Sequence, residues 1–274
     1  MANRFRFQGQ AIGVAARFHT PFQEVVDAQA SVALAPIGGY GSARVTNFRY
    51  RDLLSFDSAE SVVTGSLVED EGKPPVNTTL ISSTVDGFNL MGMVTIDRMV
   101  VHVVSTHGNQ PDGQPSVRLL GTRFENLKIA GISVGVDLAL DLFDRCDTHT
   151  KFLNAYRNEK DTRGFVANVA CKDRLKNVPV EVQRWLPQAP QNDAELPATQ
   201  GTTSLSLVRQ LEPASAGLMH YGHIVYIEGF GVIRLGEVHI TPYTRSVTML
   251  HFNLGCPVGG DGSGGSGEDG GTGW

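Results

Sequence analysis

The stretch Val45-Thr46-Asn47-Phe48-Arg49-Tyr50-Arg51-Asp52-Leu53 returns 40 residues later as Val85-Asp86-Gly87-Phe88-Asn89-Leu90-Met91-Gly92-Met93. It returns again 39 residues on as Phe124-Glu125-Asn126-Leu127-Lys128-Ile129-Ala130-Gly131-Ile132. In each, the order is apolar, polar, Asn or Gly, apolar, any residue, apolar, with Asp or Gly two positions later. The alternation is the period of a strand, and Asn and Gly accept the positive φ of tight turns cheaply. Each unit then runs into a second β-like segment: Ser61 to Leu67, Met99 to Ser105, and Val134 to Phe143. A fourth copy starts at Ile227-Glu228-Gly229-Phe230-Gly231-Val232-Ile233 and continues to Ile240, 103 residues after the third. Each unit reads as strand, turn, strand.

The expected fold is therefore all-β and mainly antiparallel, either a sandwich or a short solenoid-like stack of these units. A propeller has blades of similar length, but no Trp-Asp signature is present. Met99-Val100-Val101-His102-Val103-Val104 lacks clean alternation and reads as a central strand covered on both faces. The first unit alternates Phe48 and Tyr50 with Arg49 and Arg51, which implies one wet face. Between the third and fourth copies a small helical insertion is expected, at about residues 147–185. Asp147 or Thr148 would cap a helix with an apolar side of Phe152, Leu153 and Tyr156. Lys172 to Leu186 is a second, weaker helix broken by Pro179, and 187–197 reads as a long loop.

Composition agrees with this class. The 274 residues are 41% hydrophobic and 19% charged, with 31 Gly and 13 Pro, enough for a buried core with many turns. A net charge of −5 argues against a nucleic-acid partner, which would need a basic face. No apolar run is long enough to span a membrane as a helix, and no apolar segment follows Arg4 and Arg6 as a secretion signal would require. Cytoplasmic residence is the default expectation, with export by a route lacking a classical signal as the alternative. Cys146, Cys171 and Cys256 are odd in number and widely spaced, so they read as reduced, buried thiols rather than a disulfide framework or zinc site.

The domain is expected to occupy residues 1–258, followed by a tail at 259–274. Nine of the fifteen residues from 259 to 273 are Gly, and Trp274 ends the chain. Such a tail should be a flexible coil or, if ordered, a strand held by backbone pairing along a sheet edge or in a neighbour's groove.

No catalytic constellation emerges. There is no phosphate loop, and Ile37-Gly38-Gly39-Tyr40-Gly41-Ser42 reads as a turn between strands. His220 and His223 are three apart and should point to opposite faces of a strand, so they make a poor chelating pair. His102 reads as a core histidine. Asp97 with Asp137, or Asp137 with Asp141 on one strand face, are the carboxylate pairs that hydrolytic chemistry would require, although acidic pairs at strand ends are commonplace. No catalytic, cofactor-binding or metal residue is assigned, and no cofactor.

Ser83-Thr84-Val85-Asp86-Gly87-Phe88-Asn89-Leu90 and Gly121-Thr122-Arg123-Phe124-Glu125-Asn126-Leu127-Lys128-Ile129-Ala130-Gly131 resemble the strand pairs of bacterial β-rich choice-of-anchor proteins, over about residues 43–143. The resemblance implies a bacterial β protein of uncharacterised activity and carries over no site residues. The functional expectation is a non-catalytic structural subunit that joins copies of itself into a filament, sheath or shell through sheet edges and the tail. Phe5, Phe7, Cys256 and Trp274 are the candidate assembly residues. The alternative is a β module that binds a glycan or another ligand, with Tyr40, Tyr50, Trp185, Tyr221 and Tyr243 as available aromatics. A hydrolase is a third reading.

Overall fold

The computed structural model describes residues 5–69, 71, 72, 74–108, 113–169, 178–185, 198, 199, 202–212, 218–255 and 257–271. In chain order the first strands are β1 (Gly9–Thr20), β2 (Glu24–Gln29), β3 (Val32–Ala33), β4 (Gly39–Tyr50), β5 (Leu54–Val68), β6 (Val76–Leu90) and β7 (Val94–His107). Short strands follow: β8 (Ser116–Arg118), β9 (Arg123–Glu125), β10 (Lys128–Ile129), β11 (Ile132–Ser133) and β12 (Gly135–Leu138). The helices are α1 (Leu140–Arg145), α2 (His149–Asn158), α3 (Lys160–Val169) and α4 (Val180–Gln183). The chain closes with β13 (Ala198–Thr199), β14 (Thr202–Ser206), β15 (Val208–Glu212), β16 (Met219–Tyr221), β17 (Ile224–Ile227), β18 (Gly231–Ile240), β19 (Arg245–Leu254) and β20 (Gly259–Asp269).

Two antiparallel sheets face each other. One has the order β13-β14-β18-β19-β20-β1-β2, with β17 also on β18 and β3 also on β1. The other runs β11-β10-β7-β6-β5-β4, with β8 and β9 also on β7. Strands β1 and β20 of the first lie against β5, β6 and β7 of the second. The core fills from both inner faces, with Val14, Phe18, Val247 and Phe252 meeting Phe56, Ile81, Phe88, Met99 and Val101. Of the two expected architectures the sandwich is the one formed. The units lie side by side as a meander in one sheet and do not stack.

The three aligned segments share a backbone device. Asn47, Gly87 and Asn126 have φ of 53°, 65° and 51°, and Arg51, Met91 and Ala130 have 52°, 55° and 51°. Thr46 pairs with Ser58 and Phe48 with Phe56, so the register holds while Asn47 and Asp57 drop out of the ladder. Gly87 and Asp97 drop out in the same way between β6 and β7. The turns at 51–53, 91–93 and 130–131 then close the hairpins β4–β5, β6–β7 and β10–β11. The fourth copy closes as the β17–β18 hairpin. As its apolar run implies, β7 lies inside its sheet, with Met99, Val100, Val101 and Val103 all buried. β4 ends its sheet and is largely exposed.

Two expectations are corrected. The run Val134 to Phe143 stays extended only through Leu138, because Leu140 to Arg145 turns helical and buries Leu142 and Phe143. The helical insertion thus begins earlier than 147. Within it, Thr148 caps α2 by accepting from the Lys151 backbone N–H at 3.2 Å, and Phe152 and Tyr156 are buried as expected. Of the second helix, expected over Lys172 to Leu186, the described residues 178–185 hold α4 after Pro179; the rest of it and the loop expected at 187–197 lie outside the described residues.

The larger correction concerns the supposed tail. Residues 259–269 are neither coil nor sheet edge; they form β20, paired along its length with β19 on one side and β1 on the other. The domain does not end at Val258. Gly260, Gly262, Gly264 and Gly267 turn toward the core, while Asp261, Ser263, Ser266 and Glu268 take the opposite face. Glycines there let the facing sheet close in. A β-carbon at Gly267 would lie 3.0 Å from Ile81 Cγ2 of the facing sheet, and one at Gly262 only 2.4 Å from Phe252 Cζ of the neighbouring strand β19. Both backbone edges of the segment are satisfied by neighbours, which is how a strand with so little side chain is held.

Candidate functional site

Across the outer face of the first sheet the register builds two polar rows. Arg234, His251, Ser263 and Ala15 stand opposite one another on β18, β19, β20 and β1. One step along, Val232, Asn253, Asp261 and Arg17 form the second row. The intervening residues Ile233, Phe252 and Ala16 point inward to the core, as strand alternation requires. Trp185, just beyond α4, overhangs this surface. α4 is seated by Val178 and Val182 against Ile224 and Val232, a small apolar cluster outside the main core. The space bounded by the rows, Trp185 and the edge of β2 is a cleft of about 530 Å³.

A charge network fixes one wall. Arg234 donates through Nη1 to both Glu237 carboxylate oxygens, at 2.7 and 2.9 Å. His251 Nδ1 also bonds Glu237, and His223 Nε2 lies 3.8 Å from it. Residues three apart on a regular strand face opposite ways; here Gly236, with φ of 58°, intervenes and brings Arg234 and Glu237 to one side. Burial pushes the Glu237 carboxyl up, but the pull of the His223 and His251 rings and the charge of Arg234 outweigh it and hold it far below its ordinary value. Burial lowers the Arg234 guanidinium, against the pull of Glu237. The Arg234 guanidinium lies 4.1 Å from the centre of the Trp185 ring, and that of Arg184 lies 4.8 Å from it. Trp185 Nε1 and Arg234 Nε are buried without a hydrogen-bond partner. At the other end, His19 Nε2 meets Asp261 Oδ1 at 3.0 Å.

Sequence reasoning named Trp185 as an available aromatic but missed Arg234, Glu237, His251, Asn253 and Asp261. The readable signal was the period-two alternation Gly260-Asp261-Gly262-Ser263-Gly264, which marks a strand with one polar face.

The other candidates separate. Phe5 and Phe7 pack within their own chain: Phe7 is buried, its N–H bonds Pro36 O, and the Phe5 ring lies 4.8 Å from Phe7 and 4.7 Å from His107. Cys256 and Trp274 lie outside the described residues. Asp137 and Asp141 do not share a strand face, because Asp141 is on α1; Arg209 bonds Asp141 and lies 3.5 Å from Asp137. Asp97 accepts from Asn126 Nδ2 at 2.7 Å. His220 bonds Gly222 O while His223 turns to Glu237, so they do not converge. His102 Nδ1 contacts Leu120 O, and burial raises the Cys146 thiol. Ser105 Oγ, His107 and buried Asp269 lie together, but both partners meet the same ring nitrogen, Nε2, at 2.9 and 3.5 Å. A relay for nucleophilic catalysis uses both ring nitrogens. Among the described residues no group of three or more His, Cys, Asp or Glu could hold a metal ion. No described helix is long and apolar enough to cross a membrane.

Two sheet edges complete the inventory. β2 ends the first sheet and carries Glu24 and Asp27 with no basic residue. β4 ends the second and carries Arg44 and Arg49 with no acidic one. They lie on the same side of the sandwich, where Glu24 bonds Tyr50 and, at 2.7 Å, Arg51.

The chain belongs to the family described as a domain of unknown function (DUF8256), whose match covers residues 5–241 and stops before β19 and β20. No curated protein and no solved structure matches it.

Proposed function

We propose that this member of the DUF8256 family is a non-catalytic structural subunit whose copies join through the terminal strands β2 and β4. The observation that carries this reading is the opposite charge of Asp27 on β2 and Arg44 on β4, two terminal strands on one side of the sandwich, with Glu24 paired to Arg51 and Arg49 to Asp52 within the chain. Like charges disfavour β4 pairing with its own copy, whereas β4 against β2 of a second chain brings opposite charges together. Ile37 in the turn before β4 and Tyr40 near its start are exposed, at 92% and 71%, and would be covered by such a contact. The last strand plays no part as a free tail, because both of its edges are occupied.

The test is solution mass by light scattering with negative-stain imaging, on the full chain and on Asp27→Arg, Arg44→Glu and the double reversal. Association is expected for the native chain, weakened about tenfold by either single reversal and restored by the double. A native chain that stays monomeric at about 100 μM overturns the reading, since specific association of that strength would be weaker than about −5.5 kcal/mol. So does association that ignores both reversals.

A further inference from the structure

We propose that the cleft beneath Trp185 binds a neutral saccharide, one or two pyranose units in size. Arg234 is paired with Glu237, and Asp261 already holds the His19 ring by a hydrogen bond at 3.0 Å. Acidic Asp27 and basic Arg17 stand together on the cleft rim. An incoming anion or cation would find no concentration of opposite charge, so the site favours a ligand recognised by hydrogen bonds alone.

The remaining polar groups suit hydroxyls. Asp261 accepts and Ser263 both donates and accepts, while Asn253 offers its amide N–H, its oxygen already accepting from Arg234 Nη2 at 3.4 Å. Sugar hydroxyls can answer both donors and acceptors at once. Trp185 adds an apolar wall to the cleft, with the Arg234 guanidinium stacked 4.1 Å from its ring centre.

Size and rigidity agree. About 530 Å³ falls within the usual range of small-molecule sites. The floor is four hydrogen-bonded strands, so the recognising side chains stand on preorganised backbone and little ordering is needed on binding. The site includes β20, so the most glycine-rich segment of the chain supplies two of its polar groups, Asp261 and Ser263. This inference does not depend on assembly through β2 and β4, and a monomeric chain would bind equally well.

The test is calorimetric titration of the full chain with maltose, cellobiose and N,N′-diacetylchitobiose, with sodium sulfate and spermidine as charged probes. Tryptophan fluorescence follows the same titrations. At least one disaccharide is expected to bind with a Kd below about 10 mM and to perturb the fluorescence. Trp185→Ala should abolish binding, and Ser263→Ala and Asn253→Ala should each weaken it about tenfold. Ser263→Ala replaces an outer-face hydroxyl on a paired strand and should leave circular dichroism and melting unchanged, whereas Asn253→Ala also removes the bond from Arg234 Nη2 and should lower the melting temperature slightly without loss of fold. If a disaccharide binds, the corresponding polysaccharide distinguishes a free sugar from a chain end as the occupant. The proposal is overturned if none of the three disaccharides binds, if sulfate or spermidine binds in their place, or if Ser263→Ala and Asn253→Ala leave the affinity as it was.

Discussion

Gly264 of β20 faces Met99 of β7 so closely that a β-carbon at 264 would lie 2.7 Å from Met99 Cε. The two sheets meet at this point with the whole side-chain layer supplied by one of them. Gly264→Val should therefore destabilise the chain by about 1–3 kcal/mol, the usual penalty for overfilling a packed core. Met99→Ala added to it should recover part of the loss, although Met99→Ala alone destabilises. Urea denaturation of the four chains measures the coupling. Additive single effects would show that the two residues do not share the space.

Removing residues after Val258 should abolish cooperative folding. Without β20, the paired edges of β1 and β19 lose their partner, and Phe252, Ile81 and Met99 face an open slot. Unpaired backbone groups beside exposed apolar side chains form a site for aggregation. The truncated chain should lose its near-ultraviolet circular dichroism and precipitate or self-associate nonspecifically. A truncated chain melting at the native temperature would show that β20 is dispensable.

The turns offer a substitution that should stabilise. Ala130 is held at φ of 51°, a conformation that costs an alanine about 1–2 kcal/mol and a glycine almost nothing. Ala130→Gly should raise stability by about 0.5–1 kcal/mol after the added freedom of the unfolded chain is offset. The neighbouring Gly131 has φ of 77°, and Gly131→Ala should have the opposite sign. Thermal melts of the two variants decide this, and a lower melting temperature for Ala130→Gly would contradict it.

What the sequence disclosed followed from local chemistry. Asn47, Gly87 and Asn126 mark left-handed positions that any hairpin of this kind must fill, so the hairpins could be placed from the chain alone. The apolar run at 99–104 marked a strand inside its sheet, and β7 is one, with Met99, Val101 and Val103 buried on one face and Val100 on the other, where His102 and Val104 are only half-buried. The last strand was hidden because glycine carries little strand preference of its own. Its place is fixed by nonlocal partners, β1 from the start of the chain and β19 with its Phe252, and by the bulk of Met99 and Ile81 across the core. The cleft was hidden for the same reason. Its rows form only when β20 lies between β19 and β1, and Arg234 meets Glu237 only because Gly236 breaks the alternation that residue spacing assumes.

The Arg234–Glu237 network should show itself in acid. Burial opposes the ionised Glu237 carboxyl, but His223, His251 and Arg234 together depress its pKa well below the ordinary 4.5. A carboxyl depressed in the folded state contributes stability that is fully present above the unfolded value, and that contribution is lost as pH falls from about 4.5 through the folded value. At pH 7, Glu237→Gln removes this contribution and leaves the largely buried Arg234 without its counter-charge, so a loss of about 3–5 kcal/mol is expected. As the pH is lowered past 4.5, the native chain should lose stability faster than the variant, and the gap between them should narrow. Urea midpoints measured for both chains from pH 7 down to about pH 3 read this directly, within the range where the unfolded carboxyl takes up its proton. A gap that keeps its full size down to pH 3 would mean that Glu237 draws no stability from its ionised form beyond what the unfolded chain provides.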